Sequence, residues 1–470
     1  MANMTDVWDV AIVGAGTAGL PAAIFAAARG ARVLLLDASD RIGGALHLSS
    51  GSQAAAGKPQ KRSLDVDDSP ARHLVDALRI NHGTGDLAKL KLWTDEAPAT
   101  LTWLFANNLD MGGAAPEINE AHEPYDVARI YTPKRAGLAY LDVFEPLIKH
   151  WVSAGRISLG LSTRMTELLT DDTGGVVGLV ARTAGGETVT IMAKTVVLTT
   201  GGYTQSGKYW QSLHGLPRKV YSYPYSNGDG LTAARRIGAQ VAHTEHFLPT
   251  VGGVIDIDTP GKYWIYTRNS PVFRAPREIF VNRLGRRFMA EDKKGPDRRE
   301  RILLQQPHME FWAIYDERIR REGPPFFLWS EDKVERAFRS HEDFQRADTI
   351  EELAVGCGLD AKTLQGTIDR YNAGQAVGSD EFEREHMPFP VAIPPFYAVK
   401  HHGIAVISFG GLLTDDNFAV LDGDGTPIPN LYAAGEVLGA GVLGNAYLGG
   451  MMVSTAITFG RLLGDRILRW

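Results

Sequence analysis

Apolar and polar positions alternate in blocks over the first forty residues of the chain. Residues 10–13 are continuously apolar, residues 20–28 are rich in alanine, and residues 32–36 are apolar except for Arg32. A short uninterrupted apolar run is typical of a strand buried in a parallel sheet, and alanine favours a helix. The pattern therefore predicts a strand–helix–strand unit.

The spacing of apolar positions changes further along the chain. Residues 71–110 carry apolar side chains on one helical face, whereas residues 157–200 form short β-branched runs separated by Gly-Gly turns. We predict a helical segment over 71–110 and a hairpin-rich region over 157–200. Further helices are predicted after Gly228-Asp229-Gly230, as far as Ile237, and at 451–468.

The chain of 470 residues is too long for one core and suits two or three domains of ~100–200 residues each. Residues 248–392 are richer in charged and aromatic side chains than the rest. The strand-and-glycine pattern then returns, with a strand expected at 405–409. We therefore predict domains over 1–247, 248–392 and 393–470, the middle one being inserted.

A glycine turn connects the first predicted strand to its helix. It reads Gly14-x-Gly16-x-x-Gly19, and Asp37 closes the second strand 18 residues after Gly19. Glycines permit the tight turn and the close approach of a pyrophosphate to the helix N-terminus, and the acid can accept hydrogen bonds from ribose hydroxyls. This combination predicts a dinucleotide site and disfavours a 2′-phosphate.

Charge and cysteine content narrow the class of protein. There are 49 Lys and Arg against 55 Asp and Glu, a net charge of −6, so nucleic acid is not an expected partner. The single cysteine, Cys357, excludes an internal disulfide or a CxxC metal site, and a cytoplasmic location is expected. No apolar run approaches the ~18–20 residues of a membrane span.

Several ordered motifs resemble one family. They are the N-terminal glycine turn, Gly43-Gly44, Thr200-Gly201-Gly202, Gly228-Asp229-Gly230, the segment 281–288, Tyr432-Ala433-Ala434-Gly435-Glu436 and Leu448-Gly449-Gly450. Together they are similar to the flavoprotein subunits of fumarate reductases and succinate dehydrogenases, with the flavocytochrome fumarate reductases and 3-ketosteroid dehydrogenases as relatives. The resemblance extends over nearly the whole chain.

The resemblance implies an α/β fold, namely a Rossmann-like FAD-binding domain with an inserted α+β capping domain that contributes substrate residues. It also implies FAD, with Glu436 holding the ribityl chain and the last helix directing its amides at the flavin. The expected FAD-binding residues are Gly14, Gly16, Ala18, Gly19, Asp37, Gly43, Gly44, Ser50, Gly51, Gly201, Gly202, Asp229, Gly435, Glu436, Gly450 and Met451.

Two departures bear on the cofactor. His47 lies in the loop where some family members attach FAD covalently, but its distance from Gly51 in the sequence differs from that pattern by about two residues, so non-covalent FAD is expected. No separate domain that begins with a strand, a GxGxxG turn and a helix is present to bind NAD(P)H, so an external electron acceptor is expected.

The residues that bind dicarboxylates in the family are replaced. The family's substrate histidine falls on Val406, its arginine on Tyr447 and its proton-donating arginine on Gly295, while the relay keeps Arg274 but has Pro271 in place of an acid. Without fixed guanidinium groups a site binds a dianion poorly, so fumarate and succinate are disfavoured.

Tyr447 is similar instead to the tyrosine of ketosteroid dehydrogenases that holds the substrate ketone together with a glycine amide, here Gly449 or Gly450. Two hydrogen-bond donors on a carbonyl stabilise enolate character at the adjacent carbon. The alternative is that Tyr447 is a packing residue. Candidates for the base are Tyr263 and Tyr266, each of which could equally be a buried packing residue. Arg274 is the remaining candidate catalytic residue.

The sequence thus predicts an FAD-dependent oxidoreductase that acts on CH–CH bonds, with an apolar ketone as the expected substrate. Three hypotheses stay open. The first is α,β-dehydrogenation of a cyclic or steroid-like ketone, the second is an ene-reductase of an unsaturated acid or ketone, and the third is a flavin-binding protein without turnover.

Overall fold

A computed structural model describes residues 7–57, 67–112, 115–265, 267–325 and 327–468. Tyr266 lies outside these residues. The chain forms two compact units. The first comprises Met1–Gly215, Ser222–Phe247 and Ile407–Trp470, and the second comprises Leu216–Tyr221 and Leu248–Val406.

The elements follow in chain order. Up to residue 247 they are β1 Trp8–Val13, α1 Gly19–Ala28, β2 Val33–Leu36, β3 Gln53–Ala54, α2 Pro70–Ile80, α3 Leu87–Ala106, β4 Ile130–Tyr131, α4 Leu138–Ser153, β5 Ile157–Gly160, β6 Arg164–Thr170, β7 Val176–Arg182, β8 Thr188–Leu198, α5 Gly207–His214, α6 Asp229–Arg236 and β9 Val241–Ala242. The second unit adds β10 Thr250–Ile255, β11 Tyr263–Trp264, β12 Ile279–Asn282, α7 Pro296–Leu304, β13 Glu310–Asp316, α8 Glu317–Glu322, α9 Glu331–Ser340, β14 Phe344–Ala347, α10 Ile350–Cys357, α11 Ala361–Val377 and β15 Phe396–Ile404. The last elements are β16 Gly411–Leu412, β17 Ala419–Leu421, β18 Pro427–Ala433 and α12 Met451–Arg466.

The first unit is built on a mixed sheet with the strand order β17-β18-β8-β1-β2-β5, to which β7 and β6 are added beside β8. Strand β1 is parallel to both β2 and β8, and β18 is parallel to β8. Because β1 lies in the middle of the sheet, its side chains are buried on both faces, as the continuous apolar run requires. The predicted strand–helix–strand unit is confirmed.

Helices α1 and α12 pack closely in this unit because of small residues. A Cβ atom at Gly460 would lie 2.1 Å from the Ala18 carbonyl oxygen, and one at Gly464 would lie 2.3 Å from that of Ala22. The two glycines of α12 therefore allow its backbone to approach α1, whose first residue, Gly19, is the last glycine of the turn.

The second unit contains an antiparallel sheet with the order β11-β10-β15-β13-β12, and β14 also pairs with β15. Strand β15 pairs with β13 over its length and with β10 at its C-terminal end. Since β15 is the central strand of this sheet, the unit extends to residue 406, so the predicted boundary at residue 392 is wrong. The strand expected at 405–409 lies instead at Phe396–Ile404.

The predicted helical segment at 71–110 is two helices, α2 and α3. His82 and Gly83 adopt the left-handed conformation, with φ of +56° and +69°, which a continuous α-helix cannot contain. The Asn81 side chain accepts a hydrogen bond from the Gly83 amide at 2.8 Å, and Asp86 caps α3. The hairpin-rich region and the helices after Gly228 and Gly450 are confirmed.

Within the described ranges, none of the helices combines the length and the apolar composition that crossing a membrane requires. The cytoplasmic location stays a prediction.

Candidate active site

The turn between β1 and α1 forms a cradle of bare backbone. Gly14 has a φ of +109°, and a Cβ atom there would lie 2.3 Å from the Thr199 carbonyl oxygen. A Cβ atom at Gly19 would lie 1.8 Å from the Gly14 oxygen, so both positions require glycine. At Gly16 the nearest atom is the Cα of Gly44 at 3.8 Å. The backbone at Gly16 is thus open to a close-lying ligand group such as a pyrophosphate.

Asp37 follows β2 and is fixed beside this turn. One carboxylate oxygen accepts a hydrogen bond from the Ala15 amide and the other from the Ser39 amide, each at 2.7 Å. Burial raises the pKa of Asp37, and the two amide hydrogen bonds oppose that effect. Each oxygen keeps further acceptor capacity, so the carboxylate can still bind ribose hydroxyls.

The loop after Asp37 approaches the same turn. The Gly43 amide donates a hydrogen bond to the Ala15 carbonyl at 2.8 Å, and a Cβ atom at Gly44 would lie 3.1 Å from the Gly16 Cα. Further along the loop, Gly51 has a φ of +75° and packs against Ala136. The structure brings Gly43 and Gly44 together with the N-terminal glycines, as the resemblance implies.

Two other residues of this loop bear on how a cofactor is held. The Nε2 atom of His47 is 2.9 Å from the Ile42 carbonyl oxygen. The Ser50 side chain is exposed, and its hydroxyl lies 3.2 Å from that of Ser52. His47 therefore has a backbone hydrogen-bond partner, whereas a cofactor contact by Ser50 stays a prediction.

Glu436 lies where the turn after β18 meets the turn after β8. Its Oε1 atom accepts a hydrogen bond from the Ser408 amide at 2.9 Å. A Cβ atom at Gly202 would lie 2.3 Å from this Oε1 atom, and one at Gly435 would lie 2.9 Å from the Ala18 Cβ. Burial raises the pKa of Glu436, and the Ser408 hydrogen bonds oppose the rise. Glu436, Gly202, Gly435 and Ala18 thus meet, and sequence reasoning missed Ser408.

The neighbouring residues Gly201 and Asp229 have defined structural roles. Gly201 has a φ of +70° and turns the chain after β8. Asp229 begins α6, and its carboxylate lies 2.8 Å from a guanidinium nitrogen of Arg164. A contact of either residue with a cofactor stays a prediction.

The N-terminus of α12 adjoins strand β3. Gly450 caps the helix with a φ of +71°, and a Cβ atom there would lie 2.6 Å from the Ala54 nitrogen. Met451 is buried as the first helical residue. The buried Nε2 atom of Gln53 has no hydrogen-bond partner among the described residues. The partial positive charge of a helix N-terminus and an orphaned amide nitrogen both fit a bound group that carries acceptor atoms.

Tyr447 precedes this helix and lies in an aromatic pocket. It is buried, and its ring centroid lies 5.4 Å from that of His122 and 5.6 Å from that of Phe409. Burial lowers the pKa of His122 to about 4, so the imidazole is neutral at pH 7. Sequence reasoning missed His122 because it stands alone in a stretch without apolar periodicity, and no local signal marks it.

The remaining candidates belong to the second unit. The Tyr263 ring lies 5.3 Å from that of His402, and burial together with the charges of Asp343 and Glu310 raises the pKa of Tyr263 to about 12. Arg274 makes a bidentate ion pair with Glu278, with N–O distances of 3.0 and 2.6 Å. Tyr263 is thus protonated at neutral pH and the charge of Arg274 is balanced, which weakens both as catalytic candidates; their roles stay predictions.

One side-chain cluster of the first unit could hold a metal ion. Ligand atoms of His243, Glu245 and His246 all lie within 4.8 Å of one another, whereas the sequence predicts no metal ligand.

Comparisons with known proteins agree with the fold and the cradle. The family described as "FAD binding domain" matches residues 9–453. The chain is 29% identical to a fumarate reductase (cytochrome) of Shewanella frigidimarina, over 99% of the chain and 78% of that protein. The open conformation of a flavocytochrome c3 fumarate reductase superposes with a TM-score of 0.76 at 27% identity, covering 100% of this chain and 79% of that one. A 3-ketosteroid-Δ4-(5α)-dehydrogenase of Rhodococcus jostii RHA1, in complex with 4-androstene-3,17-dione, superposes with a TM-score of 0.70 at 25% identity. That comparison covers 99% of this chain and 97% of the dehydrogenase.

Proposed function

Because this chain belongs to the FAD-binding-domain family and is an FAD-dependent oxidoreductase acting on CH–CH groups, we propose that it desaturates a cyclic or steroid-like ketone next to the carbonyl. Bound FAD supplies the acceptor for the hydride that leaves the β-carbon. The chain's own residues have three tasks, which are to hold the cofactor, to polarise the carbonyl and to accept the α-proton.

The cradle supports FAD binding by this chain. The open backbone at Gly16 and the amides that begin α1 suit the pyrophosphate, and Asp37 suits an adenosine ribose. Glu436, fixed by the Ser408 amide, suits the hydroxyls of the ribityl chain. The N-terminus of α12 stabilises negative charge on a nearby group, since the partial charge of a helix N-terminus is positive.

The observation that carries the ketone proposal is the neutral pocket of Tyr447. Its phenol is flanked by Phe409 and by a neutral His122. Arg129, which packs over the neighbouring Tyr125 ring, is held by Asp68 and Asp76 at 2.8 and 2.9 Å. A phenol donates one hydrogen bond to a neutral oxygen, whereas a carboxylate substrate needs a positive charge, which none of these described neighbours offers.

The complex of the related 3-ketosteroid dehydrogenase supports the same substrate class, because the 4-androstene-3,17-dione in it is a cyclic ketone. A second function, reduction of an unsaturated acid or ketone, is favoured by the fumarate reductase that the chain matches at 29% identity. A flavin-binding protein without turnover is the third possibility.

Anaerobic mixing separates the three functions. A desaturase loses its visible flavin absorbance when a saturated cyclic ketone such as a 3-ketosteroid is added. An external dye then accepts the electrons from the reduced flavin and restores that absorbance. An ene-reductase does not respond to the saturated ketone, but its dithionite-reduced form is reoxidised by the unsaturated partner. A response to neither would contradict the proposal, and rapid reoxidation by fumarate would contradict the neutral pocket.

The proposed FAD is bound non-covalently. His47 supports this, because its Nε2 atom is engaged with the Ile42 carbonyl. Acid precipitation should leave a colourless pellet and a yellow supernatant. Flavin that stays on the denatured chain would show a covalent bond, and its loss in a His47→Ala variant would assign that bond to His47.

A further inference from the structure

His122 is held beside Tyr447 by contacts on its C-terminal side. Glu123 forms a parallel bridge with Leu448, and the Tyr125 hydroxyl donates a hydrogen bond to the Gly449 carbonyl at 3.1 Å. The segment that carries His122 therefore runs along the residues between Tyr447 and α12. The imidazole has a defined position relative to the phenol.

The same segment is also fixed upstream. Glu117 and Ile130 exchange two backbone hydrogen bonds at 2.9 and 3.2 Å, and the Ala121 amide donates to the Asn119 side chain at 2.8 Å. With anchors on both sides, the imidazole can act as part of a preorganised site rather than as a loop side chain that orders only on binding.

One polar atom of the imidazole is left without a partner. The Nδ1 atom of His122 is buried and makes no hydrogen bond to any residue that the structure describes. Buried polar atoms almost always have a partner, so an unsatisfied one beside a candidate substrate residue suits a ligand atom. Because the imidazole is neutral at pH 7, it can offer Nδ1 either as a donor or as an acceptor.

We propose that His122 is a substrate-binding residue of the Tyr447 site, whose Nδ1–H donates a second hydrogen bond to the substrate oxygen. This inference rests on the proposed function for the identity of that oxygen as a ketone. A neutral imidazole suits a carbonyl that becomes enolate-like in the transition state, because it polarises the oxygen without attracting a carboxylate. It would be the second donor that sequence reasoning sought in a glycine amide.

The test uses phenol as a probe, since its ring and oxygen are similar to the enol of a cyclic ketone. The FAD-loaded protein is titrated with phenol, and the change in visible absorbance of the bound flavin gives Kd without any turnover. His122→Phe keeps an aromatic ring but removes Nδ1. His122→Asn places an amide nitrogen near the Nδ1 position and restores a donor. The matched control is His150→Phe on α4, where the side chain is exposed.

We expect His122→Phe to raise Kd for phenol about tenfold, the effect of one lost hydrogen bond in a buried site. His122→Asn should stay within about threefold of the wild type, and His150→Phe should match it. Equal affinity in His122→Phe and the wild type overturns the proposal, as does a wild type that gives no spectral change up to the solubility of phenol. FAD content and melting temperature of each variant exclude misfolding as the cause.

Failure of the desaturase proposal is distinguishable from this result. In that case the wild type would bind phenol in a His122-dependent manner but would not be reduced by any saturated ketone.

Discussion

At the scale of single residues, Tyr447 is the sharpest test of the ketone hypothesis. Tyr447→Phe keeps the ring contacts with His122 and Phe409 and removes only the hydroxyl. Loss of one donor to a developing enolate typically slows the reaction ~10²–10³-fold, so the anaerobic rate of flavin reduction by the ketone should fall by that factor. FAD content and melting temperature should be unchanged. If the rates of flavin reduction in Tyr447→Phe and in the wild type differ by less than about threefold, Tyr447 is a packing residue.

The residues that sequence reasoning found and missed differ in one physical respect. Tyr447 and Glu436 were found because each stands inside a contiguous motif. His122 and Ser408 were missed because their partners, Tyr447 and Glu436, are remote in sequence or follow no recognisable spacing. Contacts that only the folded chain creates leave no local pattern.

At the scale of elements, periodicity predicted those strands and helices well whose burial pattern or cap is visible within their own segment of sequence. Strand β1 and helix α12 were predicted closely because burial on both faces and a glycine cap are visible in the sequence. The break between α2 and α3 depends on two left-handed residues, which apolar spacing does not report. Strand β15 was assigned to the wrong unit because composition does not reveal which strands pair.

The turn after β8 provides an element-scale prediction. In Gly202→Ala the new methyl group would lie 2.3 Å from Glu436 Oε1 and 2.2 Å from Ser408 Oγ, so the turn or the carboxylate must move. Such overpacking costs about 1–3 kcal/mol, and we expect FAD to bind roughly 5- to 150-fold more weakly. Titration of the apoprotein with FAD, followed by flavin fluorescence, measures this. Gly423→Ala is the control, because no atom lies within 4 Å of a Cβ there. Equal weakening in both variants would contradict the assignment of Gly202.

At the scale of the whole molecule, buried ionisable groups are distributed through both units. Arg384, Arg287 and Glu291 form a buried ion-paired network in the second unit, so part of the charged composition of that region lies in its core. Burial also lowers the pKa of several histidines, among them His73 and His122 in the first unit and His401 in the second. Both units are therefore expected to respond to mild acid.

The sign of this response follows from the histidines. The pKa of His401 is lowered to about 4 by burial, while that of an unfolded histidine is about 6.5. The unfolded chain therefore takes up protons first, so the stabilisation is complete above about pH 6.5 and declines as the pH falls from there toward 4. Each such histidine lowers the free energy of unfolding by up to ~1.36 kcal/mol per pH unit in that window. The carboxylate of Asp343, whose pKa is lowered to about 2, adds its own loss only at lower pH, below the ordinary pKa of an aspartate.

Denaturant unfolding of the apoprotein at pH 7.5, 6, 5 and 4.5 measures the decline. In His401→Phe the free energy of unfolding should fall less steeply with decreasing pH, by about the contribution of one histidine. The reason is that phenylalanine keeps the stacking against Phe311 and does not titrate. His150→Phe, at an exposed position of α4, should leave the slope as in the wild type. A His401→Phe slope equal to that of the wild type would mean that His401 is not kept neutral by its burial. If the two units unfold in separate transitions, His401→Phe should change the pH dependence of only the second unit's transition, because His401 belongs to the central strand β15 of that unit.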